Sequence, residues 1–279
     1  MDLIRVIKLD EALFDIRKTL TCGQCFRWAE EGDRFIGVVK NTVLALNEQT
    51  YLLEIYGEDL DDAYIHRYFD FNTDYSARLH EISLVDAHLK KAVAYGSGIR
   101  LLNQEPFETL ISFILSSNNN IPKIKLTIEA LSEKFGKPIG VLGGKMRFAF
   151  PDVNALGQAS LEALNVKAIG YRVKSVFETC AKILHDHADL HYPYDADYLQ
   201  AKIWLKQFYG VGDKVADCVL LFAYGKQEAF PVDTWVKRVL KELYEVESDC
   251  EAFIRAHFLK YPGLTQQVLF YYIRQNKLK

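Results

Sequence analysis

The chain has 279 residues, 49% hydrophobic and 13% aromatic, ample for a packed core in one large domain or two small ones. No apolar run approaches the roughly 18 residues of a membrane span, and acids early in residues 1–15 exclude a signal peptide. A net charge of −3, from 34 basic and 37 acidic residues, argues against an overall basic nucleic-acid binder, so such a partner requires a local patch.

Five cysteines (Cys22, Cys25, Cys180, Cys218, Cys250) are odd in number and scattered, which suggests a reducing cytosol rather than a disulfide framework. Cys22-Gly23-Gln24-Cys25 is a C-x-x-C and invites a redox or zinc reading. Against it, Phe26 and Trp28 alternate as in a strand, no βαβ unit surrounds them and no second pair completes a zinc site. Residues 24–57 read as an antiparallel meander, with strands at 24–29, 34–40, 42–47 and 51–56. Helical stretches follow near 60–69 and 76–95, and Gly96-Ser97-Gly98 marks a boundary. From Leu101 onward the pattern is helix and loop. The expectation is an α+β fold. Residues 1–98 form an N-terminal antiparallel-sheet domain with helices, packed on a mainly α-helical domain of residues 99–279.

A helix over 107–117 ends in Asn118-Asn119-Asn120, followed by Ile121-Pro122. Asparagine tolerates the left-handed conformation that ends helices, and Pro122 suits the first turn of the next one, which carries Lys123. Capping accounts for much of the triplet but not for three asparagines in a row. Gly170-Tyr171-Arg172 precedes another amphipathic helix, where Tyr171 is readable as core at a helix start.

Two helices then flank Phe208-Tyr209-Gly210-Val211-Gly212-Asp213-Lys214, giving a helix-hairpin-helix at about 198–224. Gly210 and Gly212 allow positive φ and close backbone approach. The amides opening the second helix lack intrahelical partners and suit a phosphate, which fits a hairpin that grips nucleic-acid backbone without reading sequence, although on the glycines alone an ordinary αα-turn is the favoured reading. Lys214 lies in the first turn, where the helix dipole disfavours a cation and favours the free amine, a nucleophile capable of forming a Schiff base. Downstream, Pro231-Val232-Asp233-Thr234 opens a helix with Asp233 as its N-cap. A carboxylate there is also suited to stabilise positive charge on a sugar. Lysine plus aspartate beside a phosphate-gripping hairpin suggests chemistry at a nucleotide's C1′. Cys218 shares a helix face with Lys214, and Gln266 and Phe270 share one on a last helix at 265–274. Each is equally readable as core.

GVGDKVADC followed by FPVDTW resembles the signature of helix-hairpin-helix DNA glycosylases with a Gly/Pro-Asp loop. More narrowly, it resembles the 8-oxoguanine DNA glycosylase/AP lyases. GQCFRW at 23–28, EPFETLISFILSSNNNI at 105–121, IGYR at 169–172 and QQVLF at 266–270 follow in that family's order. The resemblance implies bifunctional base-excision repair of 8-oxoguanine in double-stranded DNA by base flipping, Lys214 Schiff-base chemistry and β-elimination. It implies that the Gly23 carbonyl meets N7–H of the lesion, with Cys218 and Phe270 on the purine faces and Gln266 on its Watson–Crick edge. Asn118 would fill the gap left by the flipped base, Tyr171 would wedge into the stack and Arg172 would hold the orphaned cytosine.

Two positions depart from the best-known eukaryotic members. Lys123 stands where they have an arginine that also reads the cytosine, and Trp235 where they have a histidine near the lesion phosphate. A relaxed opposite-base preference follows as an expectation. The termini look trimmed, as in a prokaryotic member, and a monomer in the cytoplasm beside the nucleoid is expected. The C-terminus lacks the four-cysteine run of cluster-bearing relatives, so no metal or other cofactor is expected. The rival readings are an alkylpurine DNA glycosylase, a non-catalytic helix-hairpin-helix DNA-binding protein and a thiol oxidoreductase.

Overall fold

The computed structural model describes residues 1–12 and 14–276. Strand β1 (Leu3–Lys8) and helix α1 (Ile16–Thr21) come first. The meander follows as β2 (Trp28–Glu31), β3 (Arg34–Val39), β4 (Thr42–Asn47) and β5 (Leu52–Gly57). The sheet is antiparallel in the order β1-β5-β4-β3-β2, with Gly37 paired to Leu44 and Val6 to Glu54. Neither β1 nor α1 was foreseen. The first expected strand starts late, at Trp28, because residues 22–27 turn to reach the helical body.

Three short helices lead out of the sheet: α2 (Asp62–Tyr68), α3 (Tyr75–Ser83) and α4 (Ala87–Gly96). One helix was expected where α3 and α4 stand. Asp86 divides them, because its carboxylate caps Leu89 N–H and starts a new helix. Then come α5 (Pro106–Leu115), α6 (Ile121–Phe135), β6 (Pro138–Leu142), β7 (Lys145–Phe148), α7 (Val153–Gly157) and α8 (Arg172–His185). The chain ends in α9 (Tyr192–Asp195), α10 (Tyr198–Leu205), α11 (Asp213–Tyr224), α12 (Thr234–Tyr244), α13 (Cys250–His257) and α14 (Pro262–Asn276).

The β6–β7 hairpin corrects the expectation of helix and loop beyond Leu101. Gly143 and Gly144 both take left-handed φ between paired Leu142 and Lys145, the two-residue turn that Gly-Gly favours. Ile139 and Leu142 pack with Met1 on the outer sheet face at Ile36, Val38, Val43 and Tyr56. Arg147 pairs with Glu31 at 2.6 Å.

The inner sheet face buries Trp28, Phe35, Leu44 and Leu53 against α1 and α2. The larger core joins α3 and α4 to the later helices through Leu79, Leu89, Ile114, Leu220 and Val268. Val268 of α14 lies 3.2 Å from where a side chain at Gly96 would begin, which seats α14 on α4. That seating brings the C-terminal helix back to the loop around Gly23.

Candidate active site

Helix α11 starts at Gly212 without a side-chain cap, and Lys214 follows in its first turn. The Lys214 amine donates to Ser116 Oγ at 2.8 Å and sits 5.2 Å from the Phe113 ring centroid. Ser116 is the C-cap of α5, so the amine lies between a positive and a negative helix end. The sequence reading saw only the first of these, because Ser116 is 98 positions away. Asp233 caps α12 by accepting from Val236 N–H at 2.8 Å.

Lys214, Asp233, Gly23, Cys218, Gln266 and Phe270 line one pocket of about 50 Å³. Burial pushes the Cys218 thiol up to about 12, with Lys214 pulling the other way, so the thiol stays neutral. Gln266 is only 5% exposed, and among the described residues its Oε1 has no hydrogen-bond partner. A buried acceptor left open awaits a donor. The Watson–Crick edge of a guanine-type base carries N1–H and an amino group, whereas adenine presents an acceptor at N1.

Gly23 has φ +93, and a Cβ there would meet Arg274 Nη1 at 3.1 Å and Phe270 Cε1 at 3.2 Å, so only glycine fits. Gln24 fixes this turn. Its buried amide donates to the Thr19 and Arg100 carbonyls at 2.9 and 2.7 Å, and its Oε1 accepts from Leu102 N–H at 2.8 Å. Gln267 Nε2 adds a bond to the Cys22 carbonyl at 3.1 Å.

The hairpin glycines differ from expectation. Gly210 has φ +83, and a Cβ would strike Ser175 Oγ at 2.7 Å. Gly212 has φ −95 and open space around its missing side chain, so its value lies in access rather than conformation. Asp213, beside these amides, is paired to Lys206 at 2.8 Å, which holds its carboxyl below the usual range. Exposed Tyr209 of the hairpin carries Lys174 Nζ 5.3 Å from its ring centroid, a pair that sequence reading passed over.

The asparagine triplet resolves into three jobs. Asn118 is exposed at φ +47, Asn119 Nδ2 donates to the Leu115 carbonyl, and Asn120 caps α6 by accepting from Lys123 N–H. Lys123 is exposed on the first turn of α6. Tyr171 is 65% exposed, and its hydroxyl donates to the Ser117 carbonyl. Arg172 is 7% exposed and lies under the Tyr171 ring at 4.5 Å. It donates to the Ser117 and Asn118 carbonyls at 2.8 and 2.6 Å. In this geometry it holds the Asn118 loop instead of presenting a free guanidinium to a base. Trp235 is exposed on α12, two residues past Asp233.

Residues 6–110 match the family described as 8-oxoguanine DNA glycosylase, N-terminal domain, and residues 111–260 match the HhH-GPD superfamily of base excision DNA repair proteins. The chain belongs to the 8-oxoguanine DNA glycosylase family of that superfamily. The glycosylase is 33% identical to the N-glycosylase/DNA lyase of Saccharomyces cerevisiae, over 84% of this chain and 69% of that protein. It is 30% identical to a probable N-glycosylase/DNA lyase of Methanothermobacter thermautotrophicus, over 70% of each. The 8-oxoguanine glycosylase/lyase of Clostridium acetobutylicum, solved with double-stranded DNA containing cytosine opposite 8-oxoguanine, superposes with a TM-score of 0.88. It is 36% identical and covers 100% of both chains.

The C-x-x-C of this glycosylase is unsuited to thiol chemistry. Both sulfurs are buried and free, and burial pushes Cys22 up to about 11 and Cys25 higher still. No helix among the described residues is long and apolar enough to cross a membrane.

Proposed function

We propose that this enzyme removes 8-oxoguanine from duplex DNA and then cleaves the strand at the resulting abasic site. The observation that carries the reading is one pocket shared by Lys214, Asp233, Gly23, Cys218, Gln266 and Phe270, which come from separate stretches of the chain. The target base flips out of the helix into this pocket. Gln266 Oε1 accepts from its Watson–Crick edge, and the Gly23 carbonyl accepts from N7–H, which guanine lacks. The Lys214 amine attacks C1′, and the base departs as the C1′–N9 bond breaks. Asp233 stabilises the positive charge that develops on the sugar. One amine proton passes to the departing base and the other to O4′ as the sugar ring opens, which leaves a Schiff base at C1′. Removal of a C2′ proton then expels the 3′ phosphate by β-elimination. Cys218 and Phe270 flank the purine. The hairpin amides around Gly210 and Gly212 hold a phosphate, with Trp235 nearby, while Asn118, Tyr171 and Lys123 face the gap and the opposite base, and Arg172 holds the Asn118 loop in place beneath them.

An alkylpurine glycosylase shares the aspartate but has no need of Lys214, and a non-catalytic binder has no need of the pocket. The enzyme works as a monomer on genomic DNA in a prokaryotic cytoplasm. The test is a duplex containing one 8-oxoguanine opposite cytosine, incubated without alkali or heat. Strand cleavage at the lesion is expected. An intact strand, or release of an alkylated purine instead, would overturn the reading.

A further inference from the structure

Arg274 has a place beside the base pocket that the reaction above does not use. It lies one turn beyond Phe270 on α14, on the same helix face, with its Cζ 5.4 Å from the Phe270 ring centroid. Its Nη1 lies 3.1 Å, and Phe270 Cε1 3.2 Å, from the position a Gly23 side chain would take. Phe270 lines the pocket, and the guanidinium lies over the same ring beside Gly23. Among the described residues Arg274 has no hydrogen bond or ion pair, and the aromatic face is its contact. A half-buried guanidinium engaged only by a ring is held by cation–π attraction.

The pocket has about 50 Å³, room for one or two waters. A purine enters only if lining side chains move, and the Phe270 ring is one of them. What lies behind the ring then sets how firmly it stacks on the base. We propose that Arg274 is a positioning residue for base capture. It backs the Phe270 ring against Gly23 and keeps that ring stacked on the flipped base. The inference rests on the base-excision reading above, but the contact it describes is measurable without DNA.

The experiment compares wild type with Arg274→Gln, which removes the charge, and Arg274→Lys, which keeps it. A fluorinated phenylalanine at position 270 reports the ring by its ¹⁹F resonance in the DNA-free proteins. Single-turnover excision of 8-oxoguanine and cleavage of a preformed abasic duplex follow in parallel. Arg274→Gln should shift the ¹⁹F resonance and weaken capture of the lesion duplex by about 3- to 10-fold, the range of a partly desolvated cation–π contact. Abasic cleavage and binding to undamaged DNA should stay unchanged, and Arg274→Lys should recover much of the loss. Equal losses on lesion, abasic and undamaged DNA, with a shallower salt dependence, would make Arg274 a phosphate contact and overturn the proposal. An unmoved resonance, or unchanged lesion capture, would also overturn it. Wild type that binds but never excises 8-oxoguanine would sink the base-excision reading, while the ¹⁹F result would still decide the Arg274–Phe270 contact.

Discussion

The proposed opposite-base selectivity turns on one side chain, Lys123. It is exposed on the turn that Asn120 caps, close in sequence to Asn118, and it carries a flexible point charge instead of a planar fork. Arg172 is already committed to two backbone carbonyls. Few donors therefore remain to fix both the O2 and N3 acceptors of cytosine. Appreciable excision of 8-oxoguanine opposite bases other than cytosine is expected, with a sharper cytosine preference in Lys123→Arg. The gain is about 1–3 kcal/mol, the worth of one bidentate base contact. Single-turnover excision opposite each of the four bases checks it, and strict cytosine dependence unchanged by Lys123→Arg would contradict it. At this scale the sequence exposes residue types and local spacing, as in the Lys214–Cys218 and Gln266–Phe270 pairs. It does not expose the Lys214–Ser116 bond or the Arg172 carbonyl lock, because nothing local ties residues 98 or 54 positions apart.

Two elements position the proposed chemistry, the hairpin before α11 and helix α5. In the hairpin, Gly210→Val should destabilise the fold, because left-handed φ costs a branched residue about 1–2 kcal/mol and Ser175 blocks its Cβ. Gly212→Val should leave stability nearly unchanged yet weaken lesion and undamaged DNA by similar factors, since it fills the open space before the amides. Thermal melts beside DNA titrations separate the two. A Gly212→Val loss confined to lesion DNA would place the hairpin in base readout.

Helix α5 carries Phe113 and Ser116 at its far end and Glu108 in its first turn. Burial pushes the Glu108 carboxyl from its ordinary 4.5 up to about 7, against the pull of Arg27. The folded chain therefore keeps a proton that the unfolded chain has lost, and stability falls as pH rises from 4.5 to about 7. Relative to Glu108→Gln, wild type should lose at most about 3 kcal/mol across that window. Urea unfolding of both proteins at several pH values tests this, and a pH-independent difference would contradict it. Among elements, the meander and the later helices follow from alternation and helical spacing. β1 escaped because its apolar Leu3, Ile4 and Val6 are exposed on an edge strand and give no buried alternation. The β6–β7 hairpin escaped although Gly143-Gly144 signalled it, because its strands are short and partly exposed.

For the whole molecule, a net charge of −3 coexists with a DNA-binding face because the neutralising groups are local. Lys206 offsets Asp213 at the hairpin, and Lys174 lies over Tyr209 beside it. The fold brings α14 across α4 to the turn at Gly23, so the two ends of the chain build one pocket. Covalent chemistry at Lys214 is the claim on which the account depends. The most direct measurement is borohydride trapping on an 8-oxoguanine duplex, with wild type beside Lys214→Gln. Wild type should form a protein–DNA adduct, while Lys214→Gln should bind the lesion duplex and trap none. An adduct that persists in Lys214→Gln would assign the attack on C1′ to another group and contradict the mechanism.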